Sequence, residues 1–231
     1  MSYTLYYSPD SANIVIRMVL EALAVPYQAI EIDRTVDRQR SPEFLKFNPQ
    51  GLLPVLLDPA QAAPLFETAA ILLHLADQHA ALPAPEKKHR GELLKWLFFL
   101  SNTLHADLRV LFYSDRYVAD SKAIPALRKG MHQRVLGHLA LLDTEIAKGA
   151  GAWLLGEQRS VCDYYLAACV RWAQLYPRGD TLSPSDIEKF PALTGLLQNL
   201  EARPEVQKAF LAEGMHGKVF TNPDYPTQAV V

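Results

Sequence analysis

The chain contains 231 residues, of which 49% are hydrophobic and 21% are charged, and its formal net charge is −2. This length suits one or two globular domains with a substantial core. The near-neutral charge gives no general attraction to nucleic acid or to an anionic membrane, and we see neither a run of membrane-spanning length nor a signal peptide at residues 1–5. We therefore expect a cytoplasmic protein with no nucleic-acid or membrane partner.

Few residues point to metal or disulfide chemistry. The seven histidines show no metal-ligand spacing such as His-Glu-x-x-His, so we expect no metal. The two cysteines, Cys162 and Cys169, lie on one predicted helix at a spacing that puts both on the same face. They are expected to be small core residues and not a Cys-x-x-Cys redox pair.

The first 80 residues predict strands that alternate with helices. Strands are expected at 3–7, at 27–33, around Pro54 and at 65–66. A helix with apolar residues at helical spacing runs from Ile14 until Pro26 stops it, a short one opens at 41–43, and another spans about 68–78. This order, β-α-β-α-β-β-α, is typical of a thioredoxin-like domain, which we place at residues 1–80.

The remainder of the chain predicts helices only. Residues 81–91 are rich in proline and charge and form the expected linker. Helical patterns follow at 92–117, 124–146, 160–175, 190–200 and 204–212. We therefore predict an α/β thioredoxin-like N-terminal domain followed by an all-α C-terminal helical domain at 92–231. The tail from Gly214 is expected either to be loosely ordered or to fold back over a site.

One segment combines a tight turn with an unusual proline. Residues 48–51, Asn-Pro-Gln-Gly, have the composition of a type I turn. Pro54 then interrupts an apolar run of strand character, although proline cannot donate to a sheet ladder. Only about 5–6% of X-Pro bonds in folded proteins are cis, so the base rate alone favours a trans bond before Pro54.

Together with the Glu67-Thr68 pair that opens the next helix, this segment resembles the glutathione-binding signature of the cytosolic glutathione S-transferase superfamily, with beta- and theta-like bacterial features. The resemblance covers nearly the whole chain and implies the glutathione transferase fold. It implies a cis bond between Leu53 and Pro54 and places the backbone of Leu53 against the cysteinyl part of glutathione. It also assigns the γ-glutamyl end to Glu67 and Thr68, where the family has Glu-Ser.

The chemistry of Glu67 and Thr68 agrees with this role. Glutathione carries an ammonium group and carboxylates, so a carboxylate, a hydroxyl and the amides of a helix N-terminus supply the acceptor and the donors it needs. An ordinary helix start would use the same two residues, with Thr68 as the cap. The turn and Pro54 upstream favour the binding site. Glutathione is thus expected as a co-substrate.

Conjugation chemistry requires a thiolate. A thiol with a pKa near 8.5 is only about 3% ionised at pH 7, and lowering this pKa by about two units takes about 2.7 kcal/mol. One hydrogen bond to a charged sulfur, together with a helix N-terminus, supplies about that much. The candidates near the start of the first helix are Ser11, then Asn13, then Tyr7. Ser11 and Asn13 are equally plausible as helix caps, and Ser8 is a further candidate.

The same region departs from the beta class. Residues 5–9 resemble the first strand of that class, but Ala12 stands where the class carries its cysteine. Mixed-disulfide and reductase chemistry is therefore not favoured. Classes that use serine make Ser11 the preferred group.

The long helix after the linker supplies candidates for the second substrate. Trp96 and His105 keep the spacing of beta-class residues, and the resemblance places the histidine near the dimer-related active site. Phe112, Tyr113 and Arg116 are predicted to line an apolar co-substrate pocket, although helix core is the plainer interpretation of Phe112. The apolar residues around 96–100 favour a homodimer.

A final family feature lies at Ser160 and Asp163. Ser160 is predicted to cap a helix and Asp163 to reach back to it, a capping box worth about 1 kcal/mol. It resembles a buried box of the transferase helical domain and serves folding. We interpret the whole chain as a transferase that conjugates glutathione to apolar electrophilic small molecules. The alternatives are a non-catalytic glutathione- or partner-binding module and a glutathione-dependent peroxidase, reductase or isomerase.

Overall fold

The computed structural model describes residues 2–79 and 90–227, which fall into two compact units. Within the described residues, the first unit comprises 2–79, 203–216 and 225–227, and the second comprises 90–202 and 217–224. The linker predicted at 81–91 lies, up to residue 89, outside the described residues. The last four residues of the predicted tail also lie outside them.

The first unit is built on a four-stranded mixed sheet with the strand order β2-β1-β3-β4. The strands are β1 (Tyr3–Tyr7), β2 (Tyr27–Glu31), β3 (Val55–Leu57) and β4 (Leu65–Phe66). β1 runs parallel to β2 and antiparallel to β3, and β3 is antiparallel to β4. This sheet and its helices confirm the predicted thioredoxin-like α/β architecture.

Among the described residues of the first unit, four α-helices accompany the sheet: α1 (Asn13–Ala22), α2 (Pro42–Leu45), α3 (Thr68–Gln78) and α10 (Pro204–Leu211). The first eight residues of α1 are all buried, because the helix packs against β1, α3 and α10. α10 contributes Val206, Ala209 and Phe210 to this core. A helix from the end of the chain thus packs on the helix nearest its beginning.

The second unit is helical, as predicted. Its helices are α4 (Arg90–Phe99), α5 (His105–Phe112), α6 (Ile124–Lys148), α7 (Val161–Leu175), α8 (Pro184–Ile187) and α9 (Pro191–Glu201). All fifteen residues of α7 are buried, so this helix forms the centre of the unit. It ends immediately before a cis peptide bond, Tyr176–Pro177, that the sequence did not predict.

The capping box predicted at the start of α7 is present. Asp163 accepts hydrogen bonds from the backbone N–H of Ser160 at 2.7 Å and of Leu154 at 2.8 Å. The hydroxyl of Ser160 accepts from the backbone N–H of Cys162 at 3.2 Å. Asp163 is fully buried, so the cap also ties the preceding loop to the core of the unit.

The predicted helix at 92–117 is interrupted. Five residues, Leu100–Leu104, form a π-helical turn between α4 and α5, and α5 ends at Phe112, before a short 3-10 turn at Ser114–Arg116. Apolar spacing does not reveal such a turn, because one inserted residue in the hydrogen-bond pattern shifts the register without breaking the run of apolar residues.

The tail is ordered where it joins the second unit. Arg171, which is buried, donates to the carbonyl oxygens of Val219 at 3.0 Å and Asp224 at 2.8 Å. Glu201 accepts from the backbone N–H groups of Phe220 and Thr221 at 2.7 and 3.1 Å. Residues 217–224 are therefore fastened along α7 and α9.

Candidate functional site

The turn at 48–51 adopts a tightly bonded conformation. The side chain of Asn48, which is buried, accepts from Gln50 N at 3.0 Å and donates to Leu52 O at 2.9 Å. Gly51 has φ +66°, and a Cβ there would lie 2.9 Å from the carbonyl oxygen of Gln39. Glycine is therefore required at this position for two reasons, the backbone conformation and the close approach.

The Leu53–Pro54 bond is cis, as predicted. Leu53 precedes the first paired residue of β3, Val55, and is half-buried. In the part of the chain that the structure describes, neither backbone group of Leu53 makes a hydrogen bond. The N–H and C=O groups of Leu53 are thus available to an added extended peptide.

The sheet register brings the predicted binding residues to one end of β3. Val55 lies opposite Phe66 on one side and opposite Tyr6 on the other. One residue further along these antiparallel pairs, Pro54 therefore neighbours both Tyr7 and Glu67. The ends of three strands meet at the cis bond.

Glu67 is exposed and is not turned into the core. Its φ is +72°, a conformation that residues other than glycine rarely adopt and that concentrates at functional sites. Its Oε1 atom accepts from Gln50 Nε2 at 3.1 Å. Thr68, which is buried, begins α3 directly behind it. The carboxylate is therefore held at a helix N-terminus beside the turn, open to an ammonium group.

The loop between β1 and α1 is organised by the side chain of Asn13. This residue is fully buried. Its Oδ1 accepts from Ser8 N at 3.0 Å and from the hydroxyl of Ser11, and its Nδ2 donates to Glu213 Oε1 at 2.8 Å. A donor on one side and a carboxylate on the other fix the orientation of the amide. Asn13 therefore has an internal structural role.

Ser11 is half-buried and directs its only hydroxyl proton to Asn13. Donation to a sulfur thus requires the hydroxyl to turn away from Asn13, whose Oδ1 keeps its bond from Ser8 N. The N-terminus of α1 lies directly behind Ser11, because Ile14 N donates to Ser11 O at 3.0 Å. This position is favourable for a developing negative charge.

Tyr7, the third candidate, is directed elsewhere. Its hydroxyl donates to Glu31 Oε2 at 3.3 Å, across the β1–β2 pair. Burial raises the pKa of this phenol, and the charge of Glu31 raises it further. The guanidinium of Arg17 lies 4.4 Å from the centre of the Tyr7 ring. The hydroxyl and the ring of Tyr7 are therefore engaged by Glu31 and Arg17 at the end of the sheet.

The residues predicted for the co-substrate pocket lie along α5 and the turn after it. His105 Nδ1 is 2.8 Å from the hydroxyl of Tyr165, and its ring centre is 5.0 Å from that of Trp172. Burial, and then the charge of Arg109, lower the pKa of His105 to about 4, so the imidazole is neutral at pH 7.

The other three pack locally. The ring of Phe112 meets that of Tyr176 edge-on at 5.9 Å, and the guanidinium of Arg116 lies 4.3 Å from the ring centre of Tyr113. These contacts leave their co-substrate role a prediction.

The structure adds two residues that the sequence reasoning did not assign. Gln50 holds the Glu67 carboxylate, and its place inside the signature turn was a signal that could have found it. Glu213 holds Asn13, but it is separated from Asn13 by 200 positions. No local pattern marks such a pair.

Neither a metal site nor a membrane helix is found in residues 2–79 and 90–227. No group of three or more metal-ligating side chains comes together there. The helices described there are too short or too polar to cross a membrane.

Comparison with known proteins identifies the family. Residues 1–77 match the family model described as glutathione S-transferase, N-terminal domain, and residues 103–214 match that of a glutathione S-transferase C-terminal domain. Glutathione S-transferase GstB of Escherichia coli K12 is 31% identical over 215 residues, covering 90% of this chain and 97% of its own. The chain belongs to the glutathione S-transferase family.

Two further relatives differ in what they are named for. Glutathione S-transferase GST-4.5 of Xanthomonas campestris pv. campestris is 28% identical, covering 92% of this chain and 99% of its own. The disulfide-bond oxidoreductase YfcG of Escherichia coli K12 is 26% identical, covering 90% and 94%. Relatives with different named activities are thus similar to this chain to nearly the same extent.

Solved structures agree with the fold. A glutathione S-transferase from Xylella fastidiosa matches with a TM-score of 0.79 and 27% identity, over 92% of this chain and 98% of that one. A glutathione transferase family member from Pseudomonas fluorescens Pf-5, solved with two glutathione bound, matches with a TM-score of 0.77 and 26% identity, over 90% and 92%.

Proposed function

We propose that this protein binds glutathione at the end of β3 and transfers its thiolate to an electrophilic, largely apolar small molecule. The observation that carries the proposal is the pair of unused backbone groups on Leu53, next to the exposed carboxylate of Glu67. A peptide backbone can pair with Leu53 as an added strand. The ammonium of the γ-glutamyl residue then meets Glu67, and its carboxylate meets Thr68 and the first amides of α3.

The thiol in this pose is held near Ser11. Pro54 neighbours the end of β1, so a cysteinyl residue paired with Leu53 directs its side chain toward the loop that follows β1. There the hydroxyl of Ser11 and the N-terminus of α1 stabilise the thiolate. The thiolate sulfur forms a bond to the electrophilic carbon, while the leaving group departs with the displaced electron pair.

A second candidate is thiol–disulfide exchange, in which the same glutathione thiolate attacks a disulfide. The similarity to YfcG favours it. The described part of the chain offers only two cysteines, Cys162 and Cys169, and both are buried in α7. Burial raises the pKa of both thiols, so the protein itself supplies no nucleophilic sulfur, and two glutathione molecules would have to act in turn.

The test combines binding with turnover. Glutathione affinity is measured by calorimetry for the unmodified protein and for Glu67→Gln, which keeps the shape but loses the charge facing the ammonium. We expect affinity to fall about 10- to 100-fold, because a charge-assisted hydrogen bond contributes about 1.5–3 kcal/mol. The matched control is Glu43→Gln on α2, another exposed glutamate of the first unit, which should bind normally.

Turnover then separates the candidate activities. The unmodified protein is assayed with a panel of apolar electrophiles, with small disulfides and with hydroperoxides. Conjugation of electrophiles supports transfer, whereas turnover of disulfides alone supports the exchange reaction. Binding without turnover of any kind refutes both and leaves a non-catalytic glutathione-binding protein. Absence of binding at millimolar glutathione refutes the site itself.

A further inference from the structure

Glu213 is a buried carboxylate whose contacts all concern one loop and one arginine. It follows α10 in the chain, and its side chain is completely inaccessible to solvent. Oε1 accepts from Asn13 Nδ2 and from Arg17 Nε, both at 2.8 Å. Oε2 accepts from the backbone N–H of Asp10 at 3.0 Å. The carboxylate therefore holds the loop between β1 and α1 at two points.

The geometry of the ion pair favours the loop over the arginine. An arginine and a carboxylate usually pair through two parallel hydrogen bonds. Here Arg17 donates to Glu213 through Nε alone, while Arg17 Nη2 is buried without a hydrogen-bond partner. The second carboxylate oxygen is used by Asp10 N instead. The Glu213 carboxylate is thus oriented to accept hydrogen bonds from Asp10 N and Asn13 Nδ2, while Arg17 keeps one buried nitrogen without a partner.

The bond to Asp10 supports an unfavourable backbone conformation. Asp10 has φ +54°, in the left-handed region that residues other than glycine occupy at some cost. A buried charge pair is by itself weak support for stability, because desolvation offsets the Coulomb attraction. The position of this carboxylate is better explained by the conformation of the loop that it holds than by a contribution to the stability of the fold.

The second point of contact leads to the candidate thiolate donor. Because Nδ2 of Asn13 is held by Glu213, Oδ1 of Asn13 faces Ser8 N and the Ser11 hydroxyl. The contacts run in sequence from Glu213 through Asn13 to Ser11. Glu213 and Ser11 are therefore linked through one side chain, that of Asn13.

We propose that Glu213 is a positioning residue for the proposed glutathione site: it holds the Ser8–Asn13 loop so that Ser11 lies where its hydroxyl can turn from Asn13 to the sulfur. The inference rests on the proposed function. It assigns a role in the reaction to the segment after α10, far from the glutathione-binding signature in the sequence. Glu213 itself contacts neither glutathione nor the reacting atoms.

The test measures the pKa of bound glutathione by thiolate absorbance in Glu213→Gln. A displaced Ser11 stabilises the thiolate less, so we expect this pKa to rise by about one unit, a tenfold lower thiolate-to-thiol ratio at a given pH. A purely electrostatic role predicts the opposite sign, because removing a negative charge favours a nearby anion. Affinity for S-methylglutathione, which has no ionisable thiol, should change less than threefold.

Two further variants guard against misfolding and general effects. Glu213→Gln leaves Arg17 as a buried unpaired charge, so the double variant Glu213→Gln with Arg17→Met removes both charges. It should show the same rise in pKa with no net change in charge. The matched control is Glu21→Gln on α1, whose carboxylate pairs with Lys208 and Tyr27 and does not contact the loop. It should leave the thiol pKa unchanged.

The outcomes separate the two proposals. An unmodified protein that binds glutathione without lowering its thiol pKa refutes the proposed function, and the positioning role falls with it. A lowered pKa in the unmodified protein that stays unchanged or falls further in the folded double variant refutes the role of Glu213 alone. A rise in that variant, with the Glu21→Gln control unchanged, supports it.

Discussion

Ser11 and Asn13 lie two positions apart at the start of α1 and differ in burial and in hydrogen bonding. Both were candidates for the thiolate donor, but Asn13 is fully buried and its amide is bonded to Ser8, Ser11 and Glu213. The amide of Asn13 is thus engaged by groups of the protein itself, and its role at the thiolate stays a prediction. Ser11 is half-buried and is therefore the group we expect to meet the substrate.

Ser11→Ala is expected to raise the pKa of bound glutathione by about one to two units, since it removes a hydrogen bond to a charged atom worth about 1.5–3 kcal/mol. Thiolate absorbance across pH measures the shift. Glutathione affinity should change little, because the residues proposed to bind glutathione are Leu53, Glu67 and Thr68. A thiolate titration that stays in place would move the donor role to Tyr7 or to the helix N-terminus.

Asn13→Ala is expected to lower stability by about 2 kcal/mol, because it leaves the buried N–H of Ser8 without its acceptor and removes one of the three hydrogen bonds to Glu213. Urea denaturation measures the loss. Ser11→Ala provides the control, since it removes only one donor from a half-buried position. Equal stability of the two variants would contradict the structural role of Asn13.

Asp163 is expected to make the stability of the protein depend on pH. Burial raises the pKa of this carboxyl from an ordinary 3.8 to about 6, so the folded state holds the proton more tightly than the unfolded state does. Its contribution is fully present below the unfolded pKa and is lost as pH rises through about 6. Between pH 4 and pH 7 the unfolding free energy should fall by about 2 kcal/mol from this group.

The measurement is urea denaturation of the unmodified protein and of Asp163→Asn at several pH values. The difference in unfolding free energy between the two proteins should change by about 2 kcal/mol from pH 4 to pH 7. Asp186→Asn is the control, because Asp186 occupies the same capping-box position in α8 but is only half-buried, with its pKa lowered to about 2. The difference in unfolding free energy between Asp186→Asn and the unmodified protein should hardly change between pH 4 and pH 7. If the difference between Asp163→Asn and the unmodified protein is also independent of pH, the raised pKa of Asp163 is contradicted.

At the level of elements, the turn before β3 depends on Gly51. Alanine there must adopt φ +66° and place its Cβ 2.9 Å from the carbonyl oxygen of Gln39. We expect Gly51→Ala to cost about 2 kcal/mol or more and to weaken glutathione binding, because the turn sets the position of Leu53.

Gly130→Ala is the matched control for that change. Gly130 lies in α6 at an exposed position with nothing within 4 Å of an added Cβ. Alanine there should raise stability by about 0.5–1 kcal/mol, as expected in a helix interior. In thermal unfolding, Gly51→Ala should have a lower melting temperature than the unmodified protein, and Gly130→Ala a higher one. A neutral Gly51→Ala would show that the turn tolerates rearrangement.

The elements also show which features sequence patterns reveal. The capping box at Ser160 and the turn before Pro54 were predicted because their signals span only a few residues. The π-helical turn at Leu100–Leu104 and the cis bond at Tyr176–Pro177 were missed, because neither leaves a local signature. The contact between Asn13 and Glu213 was beyond reach for a different reason, since it exists only once the chain has folded.

For the whole molecule, a homodimer remains our expectation. Phe98 on α4 is 51% exposed, although it stands among the apolar residues that predicted an interface. Analytical ultracentrifugation at micromolar concentration should give a dimer, and Phe98→Glu should weaken it through burial of a charge. Leu141→Glu on α6, at another exposed apolar residue of the second unit, is the control. A monomeric unmodified protein would refute the expectation and any cross-subunit role of His105.

The path of the chain after α9 has a consequence for how this protein can be divided. Residues 203–216 belong to the first unit, 217–224 to the second, and 225–227 to the first again. A gene fragment that stops at residue 80 therefore encodes the sheet but not α10, which covers α1, nor the carboxylate that fastens Asn13. We expect such a fragment to be insoluble. Exchange of one half between two relatives should succeed only when residues 203–216 travel with the first half and residues 217–224 stay with the second.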